Sequence, residues 1–331
     1  MLETMLEHTP DGLYCAAADV WIDPWRPVPR AVITHGHSDH ARSGMGSYLC
    51  AHEGLGVLRS RLGSEAKLQG LNYGEVLRLG RAELSLHPAG HLLGSAQVRL
   101  AVDGQVWVIS GDYRVDVDRT ATAFAPVPCH VFVTESTFGL PLYRWRPQTE
   151  IAREIAEWWA ANAAAGRASV LAAYSLGKAQ RVLAALQDHG MAGEIVVHGA
   201  VAAINAVYAE AGIALPPCVS ADAVVDRQRC LVVCPPSAVG SPWIRRFGDA
   251  STAMVSGWMQ VRGQRRRRGF ERGFVLSDHA DWPGLLQAIA ATGASRVLVT
   301  HGQVPTLVRW LRDQGLEAEA LATAFGEEDD A

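Results

Sequence analysis

The sequence predicts an α/β protein made of two unlike parts, and three observations carry that reading. Short apolar runs of strand length alternate with amphipathic stretches of helical length along most of the 331 residues. Residues 1–140 hold many strand candidates and few helices. From residue 150 onward the pattern becomes a regular strand–helix alternation with short connections, which points to a parallel sheet. Hydrophobic residues at 49% and charged residues at 19% supply enough apolar surface for sizeable cores and exclude a disordered or collagen-like chain.

In the first part, strands are read at 18–23, 31–34, 84–87, 98–102, 106–110 and 130–134. Asp103-Gly104 between two of them is a hairpin turn, because this pair tolerates positive φ at both central positions. The second part opens with helix 150–165, which carries Trp158 and Trp159. Strand 169–174, helix 176–188, strand 194–198 and helix 200–211 follow. Pro216-Pro217 and Pro235-Pro236 mark loops. Strand 274–277, helix 282–291, strand 296–300 and helix 304–313 come last, and the terminal GEEDDA reads as a frayed, solvated tail.

No apolar run reaches the roughly 18 residues of a membrane span. The opening MLETMLEHTP has neither the basic nor the apolar region of a secretory signal. A cytoplasmic protein with no membrane partner is therefore expected. Six cysteines are scattered without a CxxC pair, which does not describe a disulfide framework. Cys230 and Cys234 lie in an apolar run and read as buried thiols. The net charge of −4 argues against a protein that coats nucleic acid. Six arginines between Val261 and Arg272 stand against that mean and form a local basic patch able to steer an anion to one face.

The histidines are the informative feature. Residues 35–40 read His-Gly-His-Ser-Asp-His, directly after the apolar run AVIT. Imidazole and carboxylate ligands at this density suit zinc, iron or manganese. His91 in PAGHLLGSAQ, Asp112 in ISGDYRVD and His301 in VLVTHG each end an apolar run beside a glycine. One such histidine reads as structural, but the whole set reads as a metal site.

The ordered set, HxHxDH and then His, Asp and His, resembles the metallo-β-lactamase superfamily. The resemblance implies an αββα sandwich with two divalent metal ions at one sheet edge, zinc first, with manganese or iron as alternatives. Carried over residue by residue, His35, His37 and His91 would hold one metal. Asp39, His40 and His301 would hold the other, and Asp112 would bridge. Asp23 in VWIDPW matches the superfamily's first acidic motif and would orient ligands through hydrogen bonds.

A narrower resemblance covers nearly the whole chain. The β-CASP nucleases of this superfamily carry an inserted αβα cap, implied here at 144–271, between catalytic-domain segments 1–143 and 272–331. Glu135 in VTESTFGLP, His279 in VLSDHADW and His301 match their three further motifs. DPWRPVPRAVITHGHSDHAR, GDYRVD, SGWMQVRG and SDHADWPGLL together look like the bacterial exonucleases described as DNA-ligase-associated. That implies a metal-dependent phosphodiesterase acting on DNA ends in repair, with a DNA ligase and a helicase in the same pathway. His301 at the third motif is typical of RNA-acting members and keeps an RNA-processing exo- or endoribonuclease as the alternative.

The resemblance gives His279 the role of general acid, held by Glu135, with Asp39 and Asp112 also in the catalytic set. His279 also reads as a core histidine, and Glu135 as a helix cap or surface acid. Ser175, Lys178 and Ser277 are candidates for a terminal phosphate, or else turn and cap residues. Arg262, Arg265, Arg266, Arg267 and Arg268 read as contacts to backbone phosphates or as a solvated loop. Trp243 and Trp258 read as base-stacking or as core residues.

Overall fold

The computed structural model describes residues 5–261 and 269–323, so Arg262, Arg265, Arg266, Arg267 and Arg268 lie outside the described residues. Residues up to Arg144 and from His279 onward form one compact unit, and Trp145–Asp278 form another. Among the described residues the strands make three sheets.

The first unit begins with six short strands that pair in chain order. These are β1 (Glu7–Thr9), β2 (Gly12–Cys15), β3 (Val20–Ile22), β4 (Ala31–Val32), β5 (Tyr48–Ala51) and β6 (Leu68–Leu71), with helix α1 (Leu55–Leu62) between the last two. A second sheet starts as an antiparallel meander of β7 (Val76–Leu79), β8 (Ala82–Pro88), β9 (Ala96–Val102) and β10 (Gln105–Ile109). The turn from β9 to β10 is Asp103-Gly104, with φ of 48° at the aspartate. The sheet then turns parallel with β11 (Val131–Ser136).

The second unit is a parallel sheet throughout. It holds β12 (Ser169–Ala172), β13 (Ile195–Val197), β14 (Cys218–Val219), β15 (Leu231–Cys234), β16 (Ser251–Val255) and β17 (Arg272–Phe274), in spatial order β14-β13-β15-β12-β16-β17. Successive residues point to opposite faces and both faces are covered, so the inner strands β13 and β15 are continuously apolar. Leu171, Val197 and Val233 pack under helices α2 (Gln148–Ala164), α3 (Lys178–Leu186) and α4 (Gly199–Glu210), through Ile155, Trp159, Val182, Leu183 and Val201. Val170, Val196 and Val232 face the other way, toward Ile244 of the short helix α5 (Pro242–Arg245) and Phe247 just after it.

The chain then returns to the first unit as helix α6 (Trp282–Thr292), β18 (Arg296–Gly302), helix α7 (Val304–Asp313) and β19 (Glu317–Ala320). β18 inserts between β11 and β19, parallel to both. The layers follow from side-chain alternation. Trp107, Ile109, Val131 and Val133 point inward against Ile22, Val32 and Leu49 of the first sheet. Val108, Phe132, Val297 and Val299 point outward against Leu285 and Ile289 of α6 and Leu307 and Leu311 of α7. Ile33, Tyr48 and Cys50 pack outward against Leu58 of α1. The first unit is thus helix, sheet, sheet, helix. No helix among the described residues is long and apolar enough to cross a membrane.

Several expected strands shorten or shift, among them 31–34 to Ala31–Val32 and 169–174 to Ser169–Ala172. The strand read at 18–23 shortens to Val20–Ile22, because Asp19 and Asp23 flank it with positive φ of 50° and 43°. The strand read at 274–277 is instead Arg272–Phe274 at the sheet edge, and the chain turns after it, with the Leu276 N–H donating to the Phe274 carbonyl. The four-residue strand EAEA (Glu317–Ala320) has the composition of a helix. It is strand because it completes the β18 edge, burying Ala318 and pairing Glu317 and Glu319 with Arg296.

Gly302 ends β18 with φ of 93°, and a β-carbon there would lie 2.4 Å from the Ser136 carbonyl oxygen. Gly302→Ala combines left-handed strain with overpacking, and should destabilise the first unit by about 2–4 kcal/mol. The midpoint of urea unfolding checks this.

Candidate metal centre

Four strands carry the site. β4 runs into the His35–His40 loop, β10 into Asp112, β11 holds Glu135 and β18 holds His301. His91 lies in the turn from β8 to β9, and His279 precedes α6. All belong to the first unit.

Asp23 is the anchor of the loop. Its carboxylate is buried and accepts from the Thr34 N–H at 2.8 Å and from the Thr34 hydroxyl at 2.6 Å. The same carboxylate bonds His40 Nδ1 at 2.7 Å, which fixes the ring and turns Nε2 inward. Nε2 then lies 3.5 Å from Asp39 and 3.6 Å from Asp112. Ser95 does comparable work for the other histidine, its hydroxyl accepting from the N–H groups of His91 and Leu92 at 3.1 and 3.2 Å.

Asp112 is the meeting point. Its Oδ2 lies 3.3 Å from His35 Nε2 and 4.0 Å from His91 Nε2, and its Oδ1 lies 3.3 Å from His301 Nε2. His37 Nδ1 is 3.2 Å from His91 Nε2. One ligand atom from each of His35, His37, His91 and Asp112 falls within 4.8 Å of the others. Two buried atoms, His35 Nε2 and Asp112 Oδ1, have no aligned hydrogen-bond partner among the described residues despite these short separations. Ligands at about 2.0–2.1 Å from a tetrahedral metal stand roughly 3.3 Å apart. Close, unaligned nitrogens and oxygens are therefore what a cation cage requires, and the residues fit the metal that the sequence pattern implies. Asp39, with 24% of its side chain exposed, is the open side of the cluster.

The electrostatics agree. Burial opposes a charge on His40, but Asp112, Asp23 and Asp39 outweigh it and raise its pKa to about 10. Burial, and then the His40 charge, keep His35 well below its ordinary value. Burial works against the Asp112 carboxylate, yet His40 and His35 hold it well below the usual range. In the metal-free protein a proton on His40 thus balances the carboxylates, and a cation would replace that proton.

Beside this cluster stands a second pair. His279 Nδ1 lies 2.9 and 3.0 Å from the two Glu135 oxygens, and both residues are buried. Glu135 also accepts from the Tyr113 N–H at 2.8 Å, so its orientation is set by the chain just after Asp112. The His279 ring centroid is 4.7 Å from that of His91.

Ser175, Lys178 and Ser277 lie in the second unit. Lys178 Nζ pairs with Asp278 at 3.2 Å and sits 4.6 Å over the Tyr174 ring, so its charge already has a carboxylate partner. Trp243 and Trp258 are each half-buried. Sequence reasoning missed Thr34, Ser95 and Tyr113. Thr34 carried a signal, as the polar residue between an apolar strand and the ligand loop. A serine four residues after His91 and a backbone donor to Glu135 carried none.

No family model matches the chain. It is 33% identical over 313 residues to a protein named Probable DNA ligase from Opitutus terrae, an alignment covering 94% of this chain and 30% of that protein. It is 33% identical over 124 residues to Ribonuclease TTHA0252 from Thermus thermophilus, covering 37% and 28% respectively. Against Endoribonuclease YSH1 from Saccharomyces cerevisiae it is 26% identical over 139 residues, covering 41% and 18%. The chain spans less than a third of the length of each of these relatives. A crystal structure of a protein of unknown function from Enterococcus faecalis V583 shares the fold, with a TM-score of 0.61 at 12% identity over 90% of this chain and 80% of that one.

Replacing Asp23 tests the anchor. Asp23→Ala strands the Thr34 donors and His40 in a buried setting, and should cost about 2–4 kcal/mol of stability. Bound metal should also fall by about one ion per chain. Elemental analysis and urea unfolding of the same preparation check both, and full metal content would show that Asp23 does not orient the site.

Proposed function

We propose that the chain is a metal-dependent phosphodiesterase of the metallo-β-lactamase, β-CASP type that hydrolyses nucleic acid. The observation that carries the reading is the Asp112-centred cluster with the Glu135–His279 pair directly beside it. In this reading His35, His37 and His91 hold one divalent ion. Asp39, His40 and His301 hold a second, with Asp112 shared between them. Imidazole-rich ligation favours zinc, with manganese or iron as alternatives. When bound, such ions polarise a phosphoryl oxygen and supply an activated water at neutral pH.

The protein's own part is positional. Asp23 orients His40, and Ser95 orients the His91 backbone. Glu135 holds His279 at Nδ1, which leaves the opposite ring nitrogen as the one from which a leaving oxygen would receive its proton. The catalytic set is Asp39, Asp112, Glu135 and His279.

DNA ends in repair are the favoured substrate, supported by the relative named Probable DNA ligase, whose alignment takes in 94% of this chain. A ligase and a helicase would then act in the same pathway, in the cytoplasm. His301, together with the two relatives named as ribonucleases, supports RNA processing as the second reading. Ser175 and Ser277 remain candidates for a terminal phosphate, as does Lys178 should a phosphate displace Asp278 from it. Arg262, Arg265, Arg266, Arg267 and Arg268 are proposed to contact backbone phosphates.

End-labelled DNA and RNA digested side by side by the metal-loaded chain should show faster loss of the DNA label. Faster RNA digestion would replace the DNA reading with the RNA one, and an inert chain would remove both. His279→Ala should slow cleavage by about 10²–10⁴-fold, the range for a lost general acid, while two metals per chain are retained. Loss of metal along with activity would make His279 a ligand instead.

A further inference from the structure

The step Thr-His-Gly occurs twice in the chain, as Thr34-His35-Gly36 after β4 and as Thr300-His301-Gly302 at the end of β18. Both steps meet Asp112 in the same way. His35 Nε2 lies 3.3 Å from Asp112 Oδ2, and His301 Nε2 lies 3.3 Å from Oδ1. Behind each ring, Nδ1 faces the hydroxyl of the threonine just before it, at 3.1 Å for Thr34 and 3.2 Å for Thr300. A hydroxyl has one proton to donate. Thr34 donates its proton to the Asp23 carboxylate at 2.6 Å, and Thr300 donates its own to the Thr134 carbonyl at 3.1 Å. Toward the ring each hydroxyl is then an acceptor, so Nδ1 is the donor. A neutral imidazole with its proton on Nδ1 presents a lone pair at Nε2, which is the form a metal needs.

The backbone at Thr300 is shaped for this contact. β11 and β18 keep one register as far as Thr134 opposite Val299, but Ser136 stands opposite Gly302. Glu135 of β11 therefore faces two residues of β18, Thr300 and His301. An extra residue of this kind breaks the alternation of faces, disrupts the ladder and re-aims a side chain. The buried Thr300 side chain supplies a donor to the Thr134 carbonyl where the ladder slips. Two residues further along β11, the Ser136 hydroxyl donates to the His301 carbonyl at 2.7 Å. The slip is thus sealed by two hydroxyls, one before His301 and one on its own carbonyl.

We infer that Thr300 is a positioning residue for His301, its hydroxyl holding the ring with the proton on Nδ1 and with Nε2 toward Asp112, as Thr34 holds His35. Asp23 holds His40 with a carboxylate. A threonine does the same for His301 without adding negative charge to the buried surroundings of Asp112. The inference rests on the metal reading above and adds to it a residue that touches neither metal nor substrate.

Imidazole nitrogen NMR of the full chain reads the proton directly, with the His301 signals assigned by their loss in His301→Gln. In the chain stripped of metal by chelator, at about pH 9 and so above the ordinary imidazole pKa, His301 should carry its proton on Nδ1. Thr300→Val keeps the β-branch and removes the hydroxyl, and should move part of the population to the Nε2–H form. Zinc titration of Thr300→Val should show one of two ions bound about 10- to 100-fold more weakly, the range for a ligating histidine that loses its supporting partner. Thr300→Ser should restore both the Nδ1 proton and the affinity. A wild type with its proton on Nε2 would overturn the inference without any variant. So would a Thr300→Val chain with a lowered urea midpoint but the wild-type tautomer and zinc affinities, which would make the hydroxyl purely structural. The NMR measurement needs no metal, so the two readings fail separately. A wild type that takes up no zinc loses the metal reading, while one that binds two ions regardless of Thr300 loses this inference alone.

Discussion

A carboxylate with 3% of its surface exposed, surrounded by imidazoles, is the constraint on which the first unit's chemistry depends. Desolvating Asp112 costs several kcal/mol unless positive charge stands against it. The protein supplies that charge in part through the His40 proton. Getting Asp112 there is a backbone problem. Gly111 before it has φ of 56°, and a β-carbon at that position would meet the Thr34 side chain at 2.6 Å. Thr34 therefore has two jobs. It satisfies Asp23 and it fills the space beside Gly111, so the ligand loop after β4 and the ligand after β10 are set against one another by a single small residue.

Two buried histidines are held by the same device. His40 is fixed from behind by Asp23, which leaves its other nitrogen toward Asp112. His279 is held at Nδ1 by Glu135 in the same way, beside His91, and His279 and Glu135 also form a buried group with Asp112. A buried carboxylate on Nδ1 thus leaves the other ring nitrogen of each histidine available. The carboxylates reach their histidines from different strands, Asp23 after β3 and Glu135 within β11.

Much of this was legible in the sequence because both signals were dense. HGHSDH packs three histidines and an aspartate into six positions, and Asp112, Glu135 and His301 each sit where an apolar run stops. The central strands were legible for the same reason, as β-branched runs with both faces buried. Short or half-polar strands were not. YLCA at β5 is four residues of ambiguous propensity, and EAEA at β19 is strand only because Arg296 and the β18 edge are beside it. The supporting hydrogen bonds were least legible. Tyr113 contributes a backbone N–H, which any residue there would supply. Lys178 reads in sequence as a phosphate candidate or a turn or cap residue, and spacing alone does not reveal that Asp278, a hundred positions later, lies 3.2 Å from it.

The position of β18 has a consequence for how the molecule is made. β11 needs β18 as its neighbour, but the whole of Trp145–Asp278 is synthesised between them. At about 5–20 residues per second on the ribosome, β11 waits for many seconds with one row of backbone donors and acceptors unpaired and the Val131–Ser136 face uncovered. An apolar strand with an open edge is a template for pairing with another chain. The second unit, complete in its own sheet and cores, can fold during that interval. The first unit closes its sheet only when residues 296–302 emerge, which makes its assembly the late, long-range step.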